Sequence, residues 1–132
     1  MSLERLHHFN IVTRDVDGSA AWYTRTIGLK PGPRPDLTFY GIWMYLGDTP
    51  VVHLASENPN AHITGEDPHA DRGTYTGPVD HIAFVGTEFE KFRADLKARD
   101  IEHYHVYLED IDLNQLFLRD PNGVLIEINF PK

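Results

Sequence analysis

Hydrophobic and polar positions alternate along the chain in two periods. Leu6-His7-His8-Phe9-Asn10-Ile11-Val12 has period two and predicts a strand. Leu6, His8, Asn10 and Val12 share one face of it, and His7, Phe9 and Ile11 share the other. The period then lengthens. Val16, Ala20, Tyr23 and Ile27 form one apolar stripe, predicting a helix capped by Asp15 or Asp17 and stopped at Gly28. Pro31, Pro33 and Pro35 interrupt the stretch from Leu29 to Leu37, leaving an edge strand at most. Phe39 to Leu46 predicts a strand, Gly47-Asp48-Thr49-Pro50 a turn, and Val51 to Ala55 the returning strand. Residues 57 to 77 are polar and rich in Gly, Pro, Asn and Asp, the pattern of a long loop. Strand patterning resumes at Val79 to Val85. A helix follows from about Glu88 to Arg99, with Phe89, Phe92 and Leu96 on one face. Ile101 to Val106 and Leu113 to Arg119 predict strands. Asp120-Pro121-Asn122-Gly123 is a tight turn, and Val124 to Phe130 is the last strand.

The order is strand, helix, three strands, stated twice. A shift of about 73 or 74 residues carries His8 onto His81, Val16 and Tyr23 onto Phe89 and Leu96, Trp43 onto Phe117, and His53 onto Glu127. The pattern therefore predicts an α+β chain of two βαβββ repeats in one domain, residues 1–132. Repeat 1 spans about 4–56, the linker 57–77, and repeat 2 about 78–131.

Glu127 interrupts an apolar strand that holds no Lys or Arg. An unpaired carboxylate there costs several kcal/mol, so a distant Arg or a metal ion must meet it. His8, His53 and His81 lie in similar strands, and each repeat carries one such residue in its first strand and one in its last. If first and last strands are neighbours, each pair is side by side on one sheet face. Two such faces meeting would set His8, His53, His81 and Glu127 around one point. Three imidazoles and a carboxylate suit Zn, Ni, Co, Fe or Mn, whereas calcium prefers all-oxygen shells. His7 points to the opposite face and packs or faces solvent. His62 and His69 are expected to be solvated loop residues, and His103 and His105 to lie on a half-exposed strand. Trp43, Tyr45, Leu116 and Phe117 line or underlie the cavity walls. Arg119 braces the turn or binds an anionic substrate group.

Composition narrows the field. The formal net charge of −8 argues against nucleic-acid and anionic-membrane surfaces. Without cysteine, any metal uses nitrogen and oxygen ligands. No apolar run is long enough to span a membrane and no leader pattern begins the chain, so a cytoplasmic location is expected.

These residues resemble the vicinal oxygen chelate superfamily of glyoxalase I, methylmalonyl-CoA epimerase, extradiol dioxygenases and fosfomycin-resistance proteins. Leu6-His7-His8-Phe9-Asn10-Ile11, Val79-Asp80-His81-Ile82-Ala83-Phe84 and Phe117 to Glu127 carry the resemblance. It implies a curved mixed sheet over nearly the whole chain. The metal positions of that family fall on His8, His53, His81 and Glu127. Glyoxalase-like and epimerase-like members fill all four positions, as here, whereas extradiol and fosfomycin-resistance members resemble three-ligand sites. Extradiol enzymes tend to carry Tyr where this chain has Phe117, and bleomycin-binding members lack the metal ligands. The resemblance implies a glyoxalase-type lyase or isomerase, with a small substrate chelating the metal through vicinal oxygens and Glu127 as the catalytic base. The alternatives are Fe(II)-dependent ring cleavage by His8, His81 and Glu127, and a non-catalytic drug-binding protein. A homodimer is also expected; the resemblance offers both pairing of the two repeats within one chain and their exchange between chains, glyoxalase I resembling the exchanged arrangement.

Overall fold

The computed structural model describes residues 2–132. The chain divides into two compact units, the first reaching Gly73 and the second running from Thr74 to Lys132. The boundary falls within the stretch expected as a linker.

In the first unit, β1 (Phe9–Val12), β2 (Lys30–Gly32), β3 (Gly41–Leu46) and β4 (Thr49–Ala55) form one mixed sheet in the order β1-β4-β3-β2. β1 runs parallel to β4, and the other neighbours are antiparallel. The helix α1 (Val16–Trp22) continues as a π-helical segment, Tyr23–Ile27. Asp15 caps it, its Oδ1 accepting from the Gly18 amide at 2.9 Å. Gly28 ends it at φ 82°, a left-handed conformation that costs glycine little. Val16, Ala20 and Tyr23 of the expected stripe are buried, with Met44, Val52 and Leu54 on the sheet's inner face. Pro31 sits on the edge strand, where its missing amide costs no ladder bond. The loop after β4 carries one short helical turn, α2 (Ala61–Thr64).

The second unit repeats the plan. β5 (His81–Val85), β6 (Tyr104–Leu108), β7 (Leu113–Arg119) and β8 (Leu125–Phe130) pair in the order β5-β8-β7-β6, with β5 parallel to β8. The helix α3 (Phe89–Ala98) covers one face, where Phe89 and Phe92 meet the ring of Phe130 edge-on and Leu96 is fully buried. The expected two-repeat α+β architecture is thus realised as two four-stranded mixed sheets.

The last turn is fixed by its own residues. The buried Asp120 carboxylate accepts from the amides of Asn122 and Val124, both at 2.8 Å, and Gly123 adopts φ 86°. Arg119 donates through Nη1 to the Gly123 carbonyl at 2.8 Å, so it braces this turn.

Candidate metal centre

In the first unit the strand register builds a pair of imidazoles. Asn10 of β1 lies level with His53 of β4, and Trp43 of β3 faces His53 from the other side. His8 stands just before β1, and its side chain lies over His53 on the open face. The His8 ring stacks on His53 at 3.7 Å between centroids and 8° between planes. Trp43 stacks on the opposite side at 3.9 Å and 12°. This sandwich leaves His53 only 9% exposed. Its pKa falls to about 4, chiefly through burial and then through the neighbouring His8, so the ring is neutral at neutral pH.

His53 Nε2 is buried with no hydrogen-bond partner. A buried polar atom left unpaired costs about 1–3 kcal/mol. In a neutral ring such a nitrogen can offer the lone pair that binds a metal. His8 is exposed. Its pKa is lowered by burial and by His7, whose Nδ1 stands 2.8 Å from its own Nδ1. The expectation that the pleat turns His7 away fails here, because the strand begins only at Phe9.

A cavity of about 200 Å3 opens on this face, lined by His8, Asn10, Arg34, Trp43, His53 and Asn60 among others.

In the second unit Ala83 of β5 is level with Glu127 of β8, placing His81 diagonally beside Glu127 on one face. Phe117 of β7 lies opposite Glu127, as Trp43 lies opposite His53. His81 Nε2 is 3.7 Å from Glu127 Oε1. That is too long for a hydrogen bond and within the span of two donors each about 2.0–2.2 Å from one ion. His81 Nδ1 lies 2.8 Å from the Asp80 carboxylate, leaving Nε2 as the outward nitrogen. The Asp80 hydrogen bond, with the charge of Glu127, raises the pKa of His81. Glu127 Oε2 accepts from Asn129 Nδ2 at 2.9 Å, and Asn129 Oδ1 accepts from Gln115 Nε2 at 2.9 Å. The Glu127 side chain is 14% exposed, and among the described residues no Arg or Lys forms an ion pair with it.

The donor chemistry fits a divalent transition ion: an orphaned imidazole nitrogen, a second imidazole aimed by a carboxylate, and a carboxylate held without a cation. Among the described residues no three or more His, Asp or Glu side chains come together as a group able to hold a metal ion. Each unit supplies a pair.

The remaining histidines lie elsewhere. His105 pairs with buried Leu116 in register, on the α3 side of the sheet, where it meets Phe89 and hydrogen-bonds Asn114. His103 bonds the Ile101 carbonyl, His69 is 3.4 Å from Glu57, and His62 is exposed on α2. Three contributors escaped the sequence pattern. Asp80 and Asn129 carried a usable signal, adjacency to His81 and period-two spacing from Glu127. Arg34 carried none, since it lies between two prolines outside any periodic element.

Two βαβββ units with the same strand order, each carrying a polar pair on its first and last strands, define a paired-repeat α+β class. Residues 5–128 match the Glyoxalase/Bleomycin resistance protein/Dioxygenase superfamily, and the chain belongs to that superfamily. It is 30% identical over 132 residues to Glyoxylase I 4 of Arabidopsis thaliana, covering 97% of this chain and 71% of that protein. Among solved structures it resembles lactoylglutathione lyase from Agrobacterium tumefaciens, with TM-score 0.71, 16% identity and coverage of 98% and 95% of the two chains. It also resembles the fosfomycin resistance protein FosX from Listeria monocytogenes, with TM-score 0.69, 12% identity and coverage of 99% and 96%. At these identities the two structures speak for the fold alone. Among the described residues no helix is long and apolar enough to cross a membrane.

Proposed function

We propose that the protein is a divalent-metal-dependent enzyme of the glyoxalase type, a lyase or isomerase acting on a small substrate with two vicinal oxygens. His8, His53, His81 and Glu127 would hold the ion. The observation that carries this reading is the pairing of His8 with His53 in one unit and of His81 with Glu127 in the other, with a buried, unpartnered Nε2 on His53 and an Asp80-aimed Nε2 on His81. When bound, a divalent ion polarises a carbonyl and stabilises the enediolate left by loss of an α-proton.

The chain's own residues supply the rest. Glu127 would take the α-proton through Oε1, the oxygen that Asn129 does not hold, once that oxygen is displaced from the ion. Asn129, itself held by Gln115, fixes the other oxygen and so sets the carboxylate's orientation. Trp43 and Phe117 present flat apolar walls beside His53 and Glu127, which exclude water from the reacting groups.

One observation favours a second reading. The rings of His8 and His53 lie face to face, so as they stand their nitrogens do not converge. A three-ligand set of His8, His81 and Glu127 is then left, which suits Fe(II) and ring-cleaving dioxygenase chemistry. The test is a panel on metal-loaded protein. The glyoxalase reading expects turnover of hemithioacetals without dioxygen uptake. Dioxygen uptake with catechols and no hemithioacetal turnover would replace it with the second reading. No turnover of either, with tight retention of a small molecule, would point to a binding protein.

The same reading includes a cytoplasmic homodimer in which His8 and His53 of one protomer join His81 and Glu127 of its partner. Co-refolding His8→Ala with Glu127→Ala chains would place both defects in one site and leave the other intact. Activity should partly return. A dimer in which mixing restores nothing would assign the site to a single chain.

A further inference from the structure

Among the described residues Arg34 is a cation without an anion. It lies half-buried in the Pro-rich stretch before β3 and lines the cavity beside His8 and His53. Its Nη2 donates to the Phe39 carbonyl at 2.9 Å, and its guanidinium stands over the Phe39 ring at 5.1 Å. Its Nε is buried with no hydrogen-bond partner. Among the described residues Arg34 makes no ion pair, and no Asp or Glu lines the cavity. That is notable in a chain of net charge −8, where acidic partners are plentiful.

The fold makes room for this charge. A Cβ on Gly41 would stand 2.9 Å from Arg34 Nη2 and 2.4 Å from the Leu54 carbonyl, so only glycine lets the guanidinium lie against β3. An Arg kept half-buried and unpaired bears a desolvation cost that only an anion offsets well. Asn10 and Asn60 add amide groups to the same wall.

We infer that Arg34 is the substrate's carboxylate anchor, so the substrate class is a small oxo or hydroxy acid whose carboxylate is held at Arg34 while its neighbouring oxygens face His8 and His53. The inference names the substrate class of the proposed metal site and rests on that reading for the chemistry. The anion subsite itself needs no metal.

Its test therefore uses metal-free full-length protein. Pyruvate is titrated against methyl pyruvate, the uncharged ester, with proton–nitrogen spectra reporting the Arg34 Nε–H and the Trp43 indole. Pyruvate should shift both signals saturably, and the ester should bind at least tenfold more weakly. Arg34→Met should weaken pyruvate at least tenfold and leave the ester unchanged, while Arg34→Lys should keep pyruvate within about fivefold by retaining the charge. Should Arg34→Met lose its native spectrum, wild-type binding decides: weakening with added NaCl supports the charge contact, and salt-independent binding overturns it. Unchanged pyruvate affinity in folded Arg34→Met, or no saturable shift in wild type, also overturns it. Inorganic phosphate displacing pyruvate at equal concentration would overturn the carboxylate assignment. Saturable pyruvate binding without any metal uptake would sink the metal reading and leave the Arg34 subsite standing.

Discussion

Asp80 offers a sharp test because it touches no proposed reacting group. Its carboxylate is 81% exposed and lies 2.8 Å from His81 Nδ1. An ion pair this exposed is worth about 0–1 kcal/mol to folding. Its effect on a metal would be larger. Holding the proton on Nδ1 leaves Nε2 as the lone-pair nitrogen, on the side facing Glu127. Without Asp80 the ring is free to change tautomer and to rotate, and loss of such a supporting partner typically weakens metal binding about 10–100-fold. That is roughly 1.4–2.7 kcal/mol, more than the exposed pair can cost the fold. Asp80→Ala should therefore melt within a few degrees of wild type while losing at least tenfold in zinc or nickel affinity, read by competition with a chromophoric chelator. Asp80→Ala with affinity within twofold of wild type, beside a His81→Ala variant that has lost the metal, would refute the orienting role.

Other outcomes are expected from the same geometry. Glu127→Gln should keep the metal and lose turnover, because the amide retains a ligating oxygen but takes no proton; near wild-type turnover in the metallated variant would remove Glu127 as base. Asn129→Ala should lower kcat more than it lowers metal content, since it frees one carboxylate oxygen of Glu127; equal losses in both would make Asn129 merely structural. Gly123→Ala should cost about 2 kcal/mol or more, from the left-handed φ of 86° and a Cβ 2.7 Å from the Thr74 carbonyl. A loss of at least about 5 °C in Tm is expected, and an unchanged Tm would show that the turn relaxes freely.

The repeat was legible because period-two and helical patterns survive in both copies. Register then followed: Trp43 opposite His53 and Phe117 opposite Glu127 are the offsets of the sequence made physical. The question posed by Glu127, a distant Arg or a metal, was also legible, and among the described residues no Arg answers it. What escaped depends on side-chain reach rather than period. The contact of His7 with His8 forms outside the pleat that the alternation assumed. The stacking of His8 on His53 is set by where β1 starts, which a pattern locates only approximately. Arg34 is held by Phe39 and by the space at Gly41, neither of which has a periodic signature.

His8, His53, His81 and Glu127 are proposed to hold one divalent ion. The most direct test of this proposal is metal content after chelator stripping, reloading with excess zinc or nickel, and exhaustive dialysis. Wild type should retain close to one ion per chain, and His8→Ala, His81→Ala and Glu127→Ala should each retain almost none while keeping their fold. Full occupancy in the folded Glu127→Ala and His81→Ala proteins, or none in wild type, would contradict the account.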